Sequence, residues 1–161
     1  MTPKTKILIA VAATFTAAAT TAFAQMKAED AIRARQAIMR VVGLNFGPLS
    51  GMAQDKIPFN KEAFVANAVR LEQVWAMNPG RFFVAGSDKA VAGSKIAGFT
   101  DSKPEIWSQG DKFKKAFDNN TTAIGKLAAA ARGGDEKAMK AAADDVGKAC
   151  KACHDDFRVK P

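Results

Sequence analysis

The sequence predicts an all-α protein, an antiparallel four-helix bundle with a long loop between its second and third helices. Three observations carry that prediction. Apolar residues recur at steps of three or four in four separate stretches. No stretch beyond the N-terminal segment sustains a period-two alternation. Ala-rich runs, which favour helix, fill a chain that contains no tyrosine.

The first 24 residues stand apart. Lys4 and Lys6 precede an apolar run from Ile7 to about Ala19, and the small residues around Ala22-Phe23-Ala24 close it. This is the layout of a secretory signal peptide (residues 1–24) with cleavage after Ala24. A membrane anchor is the competing reading, but Thr14, Thr16, Thr20 and Thr21 interrupt the run. It also falls short of the roughly 20 apolar residues a span needs. Residues 25–161 then form a single domain with one core. Removing the leader lowers the net charge from +8 to +6. Lys and Arg are interspersed with acids rather than blocked together, so the basic balance points to solvated faces and not to a nucleic-acid partner.

Each helix has its own signals. In the first, from about Lys27 to Leu49, Ile32, Met39, Val42 and Phe46 share a face that Arg35 and Gln36 interrupt. The Gly- and Pro-containing stretch SGMAQDKIPF is a loop, and Asn60 caps the second helix, with Glu62 in its first turn. Phe64, Val65, Ala68, Leu71 and Trp75 form its stripe, which stops before Pro79. Between Asn78 and Lys103, Gly80, Gly86, Gly93 and Gly98 break any regular element, and a connection of that length tends to be functional or to cross over a domain. Pro104 and Glu105 open the third helix, with Ile106, Phe113, Phe117, Ile124 and Leu127 as its stripe. After the turn RGGD, Asp135 caps a fourth helix carrying Met139, Ala142, Val146, Ala149, Cys153 and Phe157.

That last helix holds both cysteines and the only histidine of the chain, in Cys150-Lys151-Ala152-Cys153-His154. At i, i+3 and i+4 their side chains leave one helix face within about one turn. The pattern is the C-x-x-C-H of c-type haem attachment. Two thiols form thioethers to the haem vinyl groups, and the neighbouring imidazole reaches the iron from the same side. A Cys150–Cys153 disulfide would strain the helix and leave His154 unexplained. Zinc would want four ligands, and a thioredoxin-like pair would want a βαβ context. Export suits haem attachment, which occurs outside the bacterial cytoplasm. His154 is thus the proximal iron ligand, and the sixth position holds Met, Lys, water or nothing.

The segments AEDAIRARQAIM, KPEIW and VGKACKACHDDFR, in that order, resemble the first, third and fourth helices of the cytochromes c′, the class II c-type cytochromes. The resemblance covers essentially residues 25–161. It implies a left-handed bundle around one covalent haem c, a five-coordinate high-spin iron, and a homodimer. It also implies that Arg35 and Gln36 lie beside the haem propionates. On the same grounds Met39 faces the vacant distal side, Arg158 flanks the proximal side, and Ile106 and Trp107 help to wall the haem.

Two functions follow as expectations for a periplasmic protein. In the first, a five-coordinate iron binds nitric oxide or carbon monoxide in an apolar pocket without a hydrogen-bond donor, and cycles between Fe(III) and Fe(II). In the second, Met39 ligates the iron of a low-spin His/Met electron-transfer cytochrome. There, Lys148, Lys151, Arg158 and Lys160 form a basic rim that steers an acidic redox partner protein. Met39 alone could equally be core packing. No acid–base pair or nucleophile set near the motif points to an enzyme.

Overall fold

A computed structural model describes residues 26–89 and 100–159. The leader, Gly93, Gly98 and Lys160 lie outside the described residues. Helix α1 spans Ala28–Ala53, α2 Lys61–Ala76, α3 Glu105–Ser108, α4 Gly110–Gly133 and α5 Glu136–Phe157, with a 3₁₀ turn at Pro79–Phe82. The four long helices close a ring in which α1 packs on α2 and α5, and α4 packs on the same two. The all-α four-helix bundle is therefore the fold. Among the described residues no helix is long and apolar enough to cross a membrane.

The expected stripes become the core. Leu49, Phe64, Leu71, Leu127 and Met139 are wholly buried, and Val42, Ile124 and Val146 pack with them. Two expected caps are in place, each satisfying an orphan N–H of a first turn. The Asn60 side chain accepts from the Ala63 N–H at 2.8 Å, and that of Asp135 from the Ala138 N–H at 2.8 Å. The RGGD turn ends α4 as expected, with Gly134 in the left-handed region at φ 74° donating to the Ala130 carbonyl. A side chain is disfavoured at that angle.

Two boundaries differ from expectation. The first helix runs beyond Leu49 to Ala53 and carries Pro48 inside it. Pro48 forfeits one backbone hydrogen bond, but Leu49 and Met52, three residues apart on one face, are buried, and that burial carries the extra turn. The third helix is two pieces, because Gln109, at ψ 47°, leaves the helical region between α3 and α4. The break lets α3 touch α5 as well as α4.

The long connection is tied down at both ends. Beyond the 3₁₀ turn, a turn closes where the Ser87 N–H donates to Val84 O at 3.2 Å. At the far end, Ser102 and Arg158 form an antiparallel bridge. Lys103 N–H donates to Phe157 O at 3.0 Å, and Val159 N–H to Asp101 O at 2.7 Å. Residues 101–103 thus strap the C-terminal end of α5 beside the cysteine-bearing turn.

Replacing Asp135 by Ala removes the cap from the helix that carries this turn. It is expected to lower unfolding stability by about 1 kcal/mol, read from urea denaturation, with an unchanged m-value.

Candidate cofactor site

At the strapped end, the helices leave a cavity of about 530 Å³, within the roughly 300–1,000 Å³ of ligand pockets. Cys150, Cys153, His154 and Arg158 line it from α5, and Arg35, Gln36, Met39 and Gly43 from α1. Every site residue expected from the sequence is therefore on the cavity wall except Trp107. The neighbouring Ile106, itself buried, contributes the lining there.

Aromatic rings make much of the remaining wall. Trp75 stacks on Phe117 with centroids 4.8 Å apart, and its Nε1–H donates to Thr121 Oγ1 at 2.9 Å. Phe113 meets Phe83 edge-on at 4.9 Å and Phe157 edge-on at 5.2 Å. Such pairs hold their rings in fixed mutual orientations. Phe113, Phe117 and Trp75 read as ordinary stripe positions in the sequence. Only the folded arrangement shows that they border an opening as well as the core.

The thiols and the imidazole sit where the bundle meets water. Both cysteines are free and half-buried. Burial pushes the Cys150 thiol up and that of Cys153 to about 11, with Cys150 and Asp156 adding to the latter. Burial of part of the ring lowers the His154 pKa, the Arg158 charge lowers it further, and Asp155 opposes both. A neutral imidazole is the form that offers a lone pair to a metal.

Arg35 lies on the cavity wall and is also held by the long connection. The residue is 5% exposed, and burial lowers its pKa while Asp88 raises it. Nη1 donates to Ser87 Oγ at 2.6 Å and Phe82 O at 3.4 Å. Nη2 donates to Ser87 O, and to Thr100 Oγ1 at 2.7 Å. The cation also lies over the Phe83 ring, 5.2 Å from its centroid. Protein oxygens from both ends of the long connection thus surround the buried charge.

Three cations of the expected basic rim have acidic neighbours. Lys148 pairs with Asp145 at 3.1 Å, Lys151 with Asp155, and Arg158 with Asp101 at 3.1 Å. Exposed pairs like these stabilise little, yet each of these three cations carries its own acid, so the described part of the rim is mixed in charge.

The residues present suit a haem. A Cβ built on Gly43 would meet nothing within 4 Å, so α1 offers a bare stretch of backbone to a flat ligand beside Met39. The Trp107 Nε1–H is buried and has no acceptor among the described residues. A carboxylate could supply one. The wall is otherwise largely apolar and aromatic, as a porphyrin face requires.

The cytochrome c′ family model matches residues 30–158. Cytochrome c′ of Rubrivivax gelatinosus is 37% identical over 134 residues, covering 83% of this chain and 98% of that protein. Its crystal structure superimposes with a TM-score of 0.73 at 36% identity, over 83% of this chain and 98% of the other. A variant of cytochrome c prime from Alcaligenes xylosoxidans in complex with nitric oxide gives a TM-score of 0.72 at 33% identity, over 84% and 98% of the two chains.

Changing Arg35 to Met leaves the Phe82 carbonyl without its donor and strips the guanidinium bonds from Ser87 and Thr100. The expected cost is about 2–4 kcal/mol of unfolding free energy, measured in urea, together with faster proteolysis between residues 83 and 103. Resistance equal to that of the unaltered protein would contradict the pinning role.

Proposed function

The chain belongs to the cytochrome c′ family, and on that premise we propose that it is an exported, periplasmic c-type cytochrome that binds nitric oxide or carbon monoxide. Cys150 and Cys153 hold one haem c through thioethers, and His154 is the proximal ligand. The observation that carries this is the convergence of all three on one cavity with Met39 and Gly43 on the α1 wall. The haem supplies an iron that cycles between Fe(III) and Fe(II) and one coordination position for a small ligand.

The chain's own residues select that ligand. Met39 and Val42 cover the α1 side with apolar surface, Phe46 extends it, and no second imidazole exists in the sequence. Such an apolar face favours neutral diatomic ligands over anions and over dioxygen, whose bound form needs a hydrogen bond. Arg158 stands at the mouth on the histidine side, held by Asp101. Arg35 and Gln36, both on the α1 wall, stand beside the haem propionates, and the buried Trp107 N–H can donate to a carboxylate. The role is binding and electron exchange, without catalytic turnover.

Pairing between two copies of the chain is part of this reading. Val41 and Leu44, three residues apart on α1, are 41% and 70% exposed. Packing them against a second copy would remove them from water.

The ferrous protein is expected to show a broad high-spin spectrum that shifts when carbon monoxide is added. Met39→Ala should leave the resting spectrum nearly unaltered while speeding carbon monoxide association severalfold, followed by flash photolysis. Sharp low-spin bands that disappear in Met39→Ala would identify Met39 as an iron ligand and favour the His/Met electron-transfer reading.

A further inference from the structure

Asn120 sits in the core of α4, 2% exposed, and lines the cavity. Its Nδ2 donates to Ala116 O, one turn back on its own helix, at 2.9 Å, and to Ala149 O on α5 at 3.3 Å. Its Oδ1 is buried with no donor among the described residues. Reversing the amide would set Oδ1 against two carbonyl oxygens, so the assignment follows from the hydrogen bonds themselves. An unpaired buried acceptor opposes folding, and a leucine of similar size would fill the position without that cost. Stability alone therefore gives no reason for an amide here.

The position of the second bond supplies one. Ala149 directly precedes Cys150, and in an α-helix its carbonyl is the acceptor for the N–H four residues on, that of Cys153. The Asn120 side chain thus grips, from α4, a peptide carbonyl that belongs to the attachment turn. We propose that Asn120 is a positioning residue for the haem: its amide fixes the rotation and height of the Cys150–His154 turn relative to α4, and through it the tilt of the His154 imidazole toward the iron. This rests on the haem reading above. Arg158 and the 101–103 strap hold the same turn from its far end, so Asn120 is the polar contact that sets its near end.

The test uses the exported, haem-loaded protein and its Asn120→Leu variant. The variant is expected to keep its covalent haem and to melt at the same temperature or higher. Its ferrous iron–histidine stretching band in resonance Raman should nevertheless shift or broaden. Ile124→Val, one turn further along α4, serves as the comparison, because it weakens the core without touching the α5 carbonyl. It should lower the melting temperature and leave the band in place. An unmoved band in Asn120→Leu, or an equal shift in Ile124→Val, overturns the proposal. If Asn120→Leu does not fold, the wild-type protein decides by NMR in its diamagnetic ferrous carbon monoxide form: both Asn120 Nδ2 hydrogens should resist exchange with solvent, and rapid exchange overturns the assignment. A colourless wild-type protein overturns the haem reading and this inference with it, whereas a coloured one with an unmoved variant band overturns this inference alone.

Discussion

Cys150, Cys153 and His154 share one face of α5, and the rest of the molecule holds an apolar cavity against that face. The constraint is geometrical: three groups within one turn can address a single flat ligand only while the turn remains helical and its face remains uncovered. An ordinary bundle would close over such a face with side chains. Here α1 withholds one at Gly43, while Trp75, Phe113 and Phe117 are locked into mutual ring contacts that border the opening. Burial elsewhere, around Phe64, Leu71 and Leu127, supplies the cohesion that the open end lacks.

The long connection completes this end of the bundle through polar contacts. Arg35 gathers Phe82, Ser87 and Thr100 around one buried guanidinium, and residues 101–103 pair with the end of α5. A charged group is expensive inside a protein unless its hydrogen bonds are filled. Its five donors also make it well suited to collecting carbonyls and hydroxyls from two separated segments. Arg35 on α1 and Arg158 on α5 therefore both tether the connection, one at each side of the cavity. The fold and the site share these residues, so a change at either arginine acts on both.

Much of this was legible in the sequence, because local rules sufficed. The stripes of α1, α2, α4 and α5 follow the helical period, and Asn60 and Asp135 announce their helices through capping chemistry. The spacing Cys150-x-x-Cys153-His154 encodes its own geometry, since residues three and four apart on a helix are neighbours. Long-range contacts were not legible. That Arg35 meets Ser87 and Thr100 depends on where the connection passes, and no local pattern states it. The last turn of α1, beyond Leu49, was not legible because tertiary burial of Leu49 and Met52 is invisible to a local pattern. No local pattern marks Asn120, whose significance comes from Ala149 on another helix. The acids that neutralise Lys148 and Lys151 were present in the sequence as neighbours three and four residues away, and helical spacing could have identified them.

The central claim is that the cavity holds a porphyrin bonded covalently to the α5 turn. Intact-mass measurement of the exported protein after denaturing acid–acetone extraction tests it most directly. The account predicts the polypeptide mass plus one haem, with the colour staying in the protein fraction, and loss of that addition when both Cys150 and Cys153 are changed to Ala. A mass equal to the polypeptide alone, or a haem that leaves with the solvent, would contradict it.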